Sequence, residues 1–345
     1  MPPGDRQSAL LEWALHSLGE PADTAATATA VAGDASSRRY FRLPVAKRCY
    51  ILVDAPPATE KNAAFIAVGE LLANAGVRVP VVLEQDLERG FLLLEDFGDQ
   101  LLLPMLQQPG ADARYQGAFE LLLKLSAIDV ARAAVPAYDA SVLLEELGRF
   151  ATWFVEGLLG YTISREESEL LEALSHLLVE SALAQPQVLV HRDFHSRNIM
   201  LLEDGSLGVI DFQDALVGPY TYDLVSLLRD CYVEWPDEKV QQWALDFRLR
   251  LVDAGHLALP GERDFLRQFD LMGLQRHIKV LGTFARLHLR DGKDAYLQDL
   301  PLVLRYTQAM LARHAAHEPV IAAAQGWFER SVLPLASQRH WSGAP

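Results

Sequence analysis

The sequence predicts an α+β fold in two lobes: a small β-rich N-lobe over residues 1–97 and a larger, mostly helical C-lobe over residues 98–345. Three observations carry this. Short β-branched and aromatic runs separated by turns fill the first hundred residues. Beyond them, apolar residues recur at spacings of three and four, the period of a half-buried helix. A polar loop followed by a tight hairpin signal is set among those helical segments.

In order, residues 8–18 place Leu10, Leu11, Ala14, Leu15 and Leu18 at helical spacing. Residues 27–31 and 40–43 read as strands flanking the loop Gly33-Asp34-Ala35-Ser36-Ser37-Arg38-Arg39, and 49–53 reads as a third. Residues 60–75 read as a helix stopped by Gly76, because glycine enters the left-handed region that ends helices. Two further strands are expected over 79–83 and 91–94. Helical patterns then cover 119–125, 142–159, 170–183, 240–251 and 265–289. The active site is expected in the cleft between the two lobes.

Composition narrows the function classes. Half of the 345 residues are hydrophobic, enough for a substantial core. A formal net charge of -15 disfavours nucleic acid and anionic membranes as partners. Cys49 and Cys231 are the only cysteines, so no disulfide framework is expected. The apolar stretch 91–106 is broken by Glu95, Asp96, Asp99 and Pro104, and no membrane span is expected. A cytoplasmic location follows as the expectation, with no obligate protein partner indicated.

The most informative stretch is Val190-His191-Arg192-Asp193-Phe194-His195-Ser196-Arg197-Asn198-Ile199-Met200, followed by Ile210-Asp211-Phe212. Phosphoryl transfer needs an oriented acceptor hydroxyl and metal ions that neutralise charge between the β- and γ-phosphates. Asp193 suits the first task as catalytic base. Asn198 and Asp211 suit the second as oxygen ligands for Mg²⁺. The spacing H-x-D-x-x-x-x-N with a following D-F is a kinase signature, so ATP and Mg²⁺ are the expected cofactors. Asp204-Gly205 marks a hairpin between 199–202 and 207–210, which would bring Asn198 and Asp211 to one end of a ribbon. Zinc on His191 and His195 is disfavoured, because a zincin pattern needs H-E-x-x-H on a helix.

On the nucleotide side, Ser36, Ser37 and Arg38 lie on the loop expected to cover the phosphates. The alternative for that loop is an ordinary polar hairpin turn. Glu95 and Phe97 fall in a segment with the look of a hinge, whose backbone would meet adenine.

These residues resemble the aminoglycoside phosphotransferase and choline-kinase-like branch of the protein-kinase-like fold. His195 stands two residues after Asp193, Asp211-Phe212-Gln213 replaces D-F-G, and Gly218 to Leu224 matches G-x-x-x-x-D-L. The resemblance implies that Asp223 braces the catalytic loop, with His191 also structural; a helix N-cap is the alternative for Asp223. Within the branch, Asp54-Ala55-Pro56-Pro57, Val209 to Ala215, Tyr222 to Asp230 and Gln275 to Gly282 are similar to the bacterial N-acetylmuramate/N-acetylglucosamine anomeric kinases of peptidoglycan recycling. That likeness implies transfer of the ATP γ-phosphate to an anomeric hydroxyl. On the sugar side, the Asp230 carboxylate suits sugar hydroxyls, the Tyr232 and Trp235 rings suit pyranose faces, and Arg276, His277 and Lys279 form a basic cluster for a lactyl carboxylate or a phosphate. Core or solvated roles are the alternatives for each.

One departure stands out. Kinases usually carry a third-strand lysine on the α- and β-phosphates. Asp54 lies near that position here, and Arg38, Arg39, Arg42 or Lys61 is expected to supply the charge. Glu70, on the following helix, is expected on a solvated face in the absence of that lysine, with the kinase-helix glutamate as its alternative. Two other classes remain open: a different small-molecule kinase of the aminoglycoside or choline type, and a pseudokinase used as a binding module.

Overall fold

The computed structural model describes residues 3–21, 26–31, 37–255 and 257–342. The chain opens with α1 (Pro3–Ser17), then β1 (Thr29–Val31), β2 (Arg39–Val45), β3 (Arg48–Asp54), α2 (Asn62–Asn74), β4 (Val82–Asp86) and β5 (Phe91–Glu95). Next come α3 (Leu102–Leu106), α4 (Ala111–Ser126), α5 (Ala140–Arg149), α6 (Arg165–Leu183), β6 (Gln187–Val190), β7 (Ile199–Leu201), β8 (Leu207–Val209) and β9 (Leu216–Pro219). The rest is helical: α7 (Tyr222–Leu228), α8 (Asp237–Ala254), α9 (Glu262–Asp291), α10 (Leu300–His314), α11 (Pro319–Trp327) and α12 (Leu333–Ser337). The expected α+β class holds.

The chain packs as two compact units. One comprises residues 1–117 and 197–214, the other residues 118–196 and 215–345.

In the first unit, β1 to β5 form one antiparallel sheet in the order β1-β2-β3-β5-β4. Leu10, Ala14 and Leu15 of α1 pack on Phe41, Leu43, Leu52, Phe91 and Leu93. Strand side chains alternate between faces, so Tyr40, Arg42, Ile51 and Val53 point away from α1. The strand expected over 79–83 is shifted to Val82–Asp86, because Pro80 has no N–H to give a ladder. Helix α2 ends as expected. Gly76 has φ 75°, and the N–H of Val77 reaches back to the Leu72 carbonyl at 2.9 Å.

The β7–β8 hairpin belongs to this unit. Its turn uses Gly205 at φ 80°, and the Asp204 carboxylate accepts from the Ser206 N–H at 2.9 Å. Two backbone bonds tie the hairpin down: Leu201 N–H to the Gln100 carbonyl and Val209 N–H to that of Arg78, each 2.8 Å. Gly208 leaves room for the Phe97 ring, since a Cβ there would lie 2.5 Å from it.

The second unit is built on α9. Nearly every residue from Phe269 to Leu287 of that helix is buried, unlike the one-sided pattern of a surface helix. It packs against α5, α6, α7 and α10. The helix expected over 142–159 is α-helical only to Arg149 and continues as a π-helix over Phe150–Leu158. Strands β6 and β9 pair antiparallel, with Val190 opposite Leu216.

Candidate active site

Strand β6 delivers the chain into the loop 191–198. The Asp223 carboxylate fixes its start, accepting the backbone N–H of His191 at 2.6 Å and that of Arg192 at 3.0 Å. Asp223 is buried in the first turn of α7. Burial pushes its pKa up, to about 7, against the pull of those two N–H donors. Farther along, the Asp230 carboxylate accepts both the N–H and the hydroxyl of Ser196, at 2.9 and 2.5 Å. Among the described residues, the non-glycine positions with positive φ are Ala46, Arg192 and Asp211. Two of these lie in the polar motif, and strain of this kind persists where surrounding structure holds it in place.

Asp193 is half-buried. Burial alone would raise its pKa, but Lys279, His195, Arg192 and Arg276 outweigh that and hold it at about 2. The carboxylate is therefore ionised throughout the physiological range. Lys279 donates to the Tyr222 hydroxyl at 2.9 Å and lies 3.4 Å from Glu146. Arg192 donates to the same Glu146 at 2.5 Å, and the Tyr138 hydroxyl donates to it as well. Burial opposes the charge on Glu146, yet Lys279 and Arg192 bring its pKa below the ordinary value.

The sequence did not single out Glu146. It shares a helical face with Leu143 and Leu147, and all three are buried. A carboxylate inside an apolar stripe was the available signal, because buried charges require partners.

The residues expected near the sugar are buried in the second unit. Asp230 and His277 are each 0% exposed. Arg276 donates to the Cys231 thiol at 3.4 Å. His277 bonds the Arg229 carbonyl through Nε2 at 3.1 Å and stacks on Tyr306. Burial pushes its pKa down to about 3, so it is neutral. Tyr232 meets His195 edge-on at 5.2 Å between ring centres, and Trp235 packs on Trp243.

In the first unit, Asn198 and Asp211 do converge at the open end of the hairpin. The Asn198 amide donates through Nδ2 to one Asp211 oxygen at 3.4 Å, and Gln213 donates to the other at 2.7 Å. The Ile210 N–H to Asn198 carbonyl bond, 3.0 Å, closes the ribbon between them. Phe212 anchors the turn by stacking on Phe65, at 4.8 Å between centres, beside Gly69 of α2. With the Asn198 amide turned so that Oδ1 faces Asp211, the amide and the carboxylate would make a small all-oxygen set. It fits Mg²⁺, which takes few protein ligands and fills its shell with phosphate and water. It does not fit zinc, and the described residues hold no cluster of three or more His, Cys, Asp or Glu suited to a metal.

Of the expected nucleotide residues, Ser36 lies outside the described residues, as does the loop from Gly33. Ser37 bonds Thr59 at 2.8 Å and Glu60 at 2.5 Å. Arg38 is 3% exposed, lies 3.4 Å from Glu60 and sits over the Phe65 ring. Glu95 is paired with Arg78, whose guanidinium also covers Phe97. The other candidate cations are engaged: Arg39 with Asp54, Arg42 with Asp96 and Asp99, Lys61 with Asp214 at 3.9 Å. Asp54 is wholly buried, gripped by Arg39 and by Arg6 of α1, on the α1 side of the sheet. Glu70 is exposed, as expected.

Comparison with known proteins is consistent with this geometry. The pattern of the family described as "Phosphotransferase enzyme family" matches residues 27–266. The chain is 46% identical over 280 residues to the N-acetylmuramate/N-acetylglucosamine kinase of Pseudomonas aeruginosa, covering 81% of this chain and 82% of that protein. Among solved structures, the choline kinase LicA from Streptococcus pneumoniae superposes with a TM-score of 0.60 at 14% identity, over 88% of this chain and 99% of LicA. The ADP-bound aminoglycoside phosphotransferase APH(2'')-Ib does so at 0.57 and 14%, over 88% and 98%.

Proposed function

The chain belongs to the phosphotransferase enzyme family, and from that premise we propose that it is an ATP-dependent kinase for the anomeric hydroxyl of N-acetylmuramate and N-acetylglucosamine, making the sugar 1-phosphate. The observation that carries the reaction is the meeting of the Asn198 and Asp211 side chains at one hairpin end, with Asp193 five residues ahead of Asn198 on the loop that enters it. The 46% identity to a kinase of that name supports the acceptor.

Asp193 orients the C1 hydroxyl and takes its proton. The hydroxyl oxygen bonds to the γ-phosphorus, the bond from that phosphorus to the β,γ-bridging oxygen breaks, and ADP leaves. A carboxylate with a pKa of about 2 is a weak base. It suffices because a hemiacetal hydroxyl is more acidic than an ordinary alcohol, and because a loose transition state asks for proton removal late. Asn198 and Asp211 would hold Mg²⁺, which neutralises charge between the phosphates. Ser36, Ser37 and Arg38 would meet the phosphates, and the backbone near Glu95 and Phe97 the adenine.

Arg276 and Lys279 give the Asp193 side a positive field, favourable to an acceptor bearing a carboxylate and unfavourable to a cationic antibiotic. Asp230 and His277 support that side from within the core, and His191 and Asp223 hold the loop. The lobe boundary between residues 97 and 98 belongs to the same reading; the sheet ends at Glu95 and the helices resume at Leu102. So does a cytoplasmic site of action, where ATP is available. Among the described residues no helix is long and apolar enough to cross a membrane.

The test is phosphorus NMR of reactions with ATP, Mg²⁺ and each sugar, with kanamycin and choline as comparison acceptors. An anomeric phosphate doublet with either sugar is expected. Transfer only to kanamycin or choline would discard the sugar acceptors, and no transfer to any of them would count against the kinase.

A further inference from the structure

The third-strand lysine is missing, and its absence is deeper than the sequence suggested. Asp54 faces α1 and is neutralised there by Arg6 and Arg39. The β3 residue facing away from α1 is Val53, paired with Tyr40 of β2. No cation on β3 can therefore reach a phosphate from that face.

Arg38 immediately precedes β2, and by alternation it shares the face of Tyr40. Its guanidinium lies 3.4 Å from Glu60, just ahead of α2, and 5.1 Å from the centre of the Phe65 ring. Tyr40 accepts a hydrogen bond from Arg38 and feels the negative charge of Asp211. Phe65 carries Phe212 on its ring, directly after Asp211. Arg38 thus sits within the same cluster of side chains that fixes the hairpin end. Its side chain is 1% exposed, against 36% for Arg39, 22% for Arg42 and 79% for Lys61. A buried guanidinium persists only with anionic or aromatic partners, and this one has both kinds.

We propose that Arg38, braced by Glu60 and Phe65, replaces the strand lysine as the cation that holds the nucleotide phosphates, with Glu60 in the part usually taken by a glutamate of the following helix. This rests on the kinase reading above. A planar guanidinium offers paired N–H donors that match two phosphate oxygens, where a lysine offers a point charge. The strand side chain is then released from phosphate binding, which explains how β3 can spend its acidic residue on docking α1.

The experiment is calorimetric titration of the full chain with Mg-ATP, Mg-ADP and adenosine, in the parent and in Arg38→Met, Arg38→Lys and Arg39→Met. Arg38→Met should lose roughly 10- to 100-fold in affinity for ATP and ADP, the range for a charge-assisted contact, and hold its adenosine affinity within about 2-fold. Arg38→Lys should recover part of the loss. Arg39→Met should lower the thermal midpoint through Asp54 and leave the ATP-to-adenosine ratio unchanged. An equal loss for ATP and adenosine, no loss, or a phosphate-selective loss in Arg39→Met instead would overturn the assignment. Where Arg38→Met does not fold, Glu60→Gln carries the test: a selective loss supports the brace and an unchanged ratio overturns it. A parent chain that binds ATP while Arg38→Met is unaffected removes only this assignment. A parent that binds neither ATP nor ADP removes the kinase reading with it.

Discussion

Glu146 and Lys279 meet at 3.4 Å in the helical unit, with side chains 0% and 10% exposed. The same carboxylate receives Arg192 and the Tyr138 hydroxyl, so one acidic residue of α5 fixes a cation of the loop and a cation of α9. Both cations act on Asp193. Removing a single partner from such a buried set leaves the others uncompensated, at a cost of about 3–5 kcal/mol. Glu146→Ala should lose that much in urea unfolding, whereas an exposed variant such as Glu70→Ala should stay within about 0.5 kcal/mol of the parent.

Asp193→Asn keeps shape and removes the proton acceptor. Turnover should fall by about 10²- to 10⁴-fold, the usual worth of a general base. Nucleotide affinity should hold, because Asp193 is assigned no metal or nucleotide contact. Asp211→Asn should instead weaken Mg-ATP binding, so the two variants separate by titration. Equal turnover in Asp193→Asn and the parent would refute the mechanism.

Acid stability should report Asp270. Burial raises its pKa, but the His314 hydrogen bond and the charges of Arg229 and Arg313 prevail and hold it at about 2, from an ordinary 3.8. The native carboxylate is then harder to protonate than the unfolded one. Its contribution is present above pH 3.8 and is lost as pH falls from 3.8 toward 2. The shift corresponds to about 2 kcal/mol. Asp270→Asn should unfold more easily at pH 6 and show a shallower acid-induced loss below pH 4, both measured by circular dichroism with urea.

At Gly282, α9 lies against the backbone at the end of α5. A Cβ there would lie 2.5 Å from the Arg149 carbonyl carbon and from the Phe150 nitrogen. Helix propensity favours alanine over glycine by about 1 kcal/mol. Backbone atoms cannot rotate aside, and overpacking typically costs about 1–3 kcal/mol, so the clash should win. Gly282→Ala should lower the thermal midpoint; a rise would show that α9 shifts without cost. The π-helix starts at Phe150, at this same crossing.

The α+β class, the sheet strands and the long helices were legible because each has its own period. Strands alternate, helices repeat at three to four, and glycines such as Gly76 and Gly205 punctuate them. The convergence of Asn198 and Asp211 was legible for the same reason. A hairpin with a recognisable turn fixes which residues enter and leave it, so local sequence sets their separation. The strand near Val79 was misplaced by three residues because a proline's effect on a ladder depends on which partner it faces. The switch from α to π geometry at Phe150 had no local signal, because it accompanies an approach by a helix more than a hundred residues away.

The sequence by itself determined the family, the order of elements and the three polar side chains offered for phosphoryl transfer, since these rest on identity and near-neighbour spacing. Only the tertiary structure decided what the other charges do. It turned Asp54 toward α1, where Arg6 and Arg39 hold it, set Arg38 on Glu60, brought Arg192 and Lys279 to Glu146, and committed Asp230 to Ser196. A charged residue looks the same in sequence whether it is solvated, paired or poised. Its energy in the folded chain depends on burial and on the distance to opposite charges, and those distances exist only once remote segments have packed.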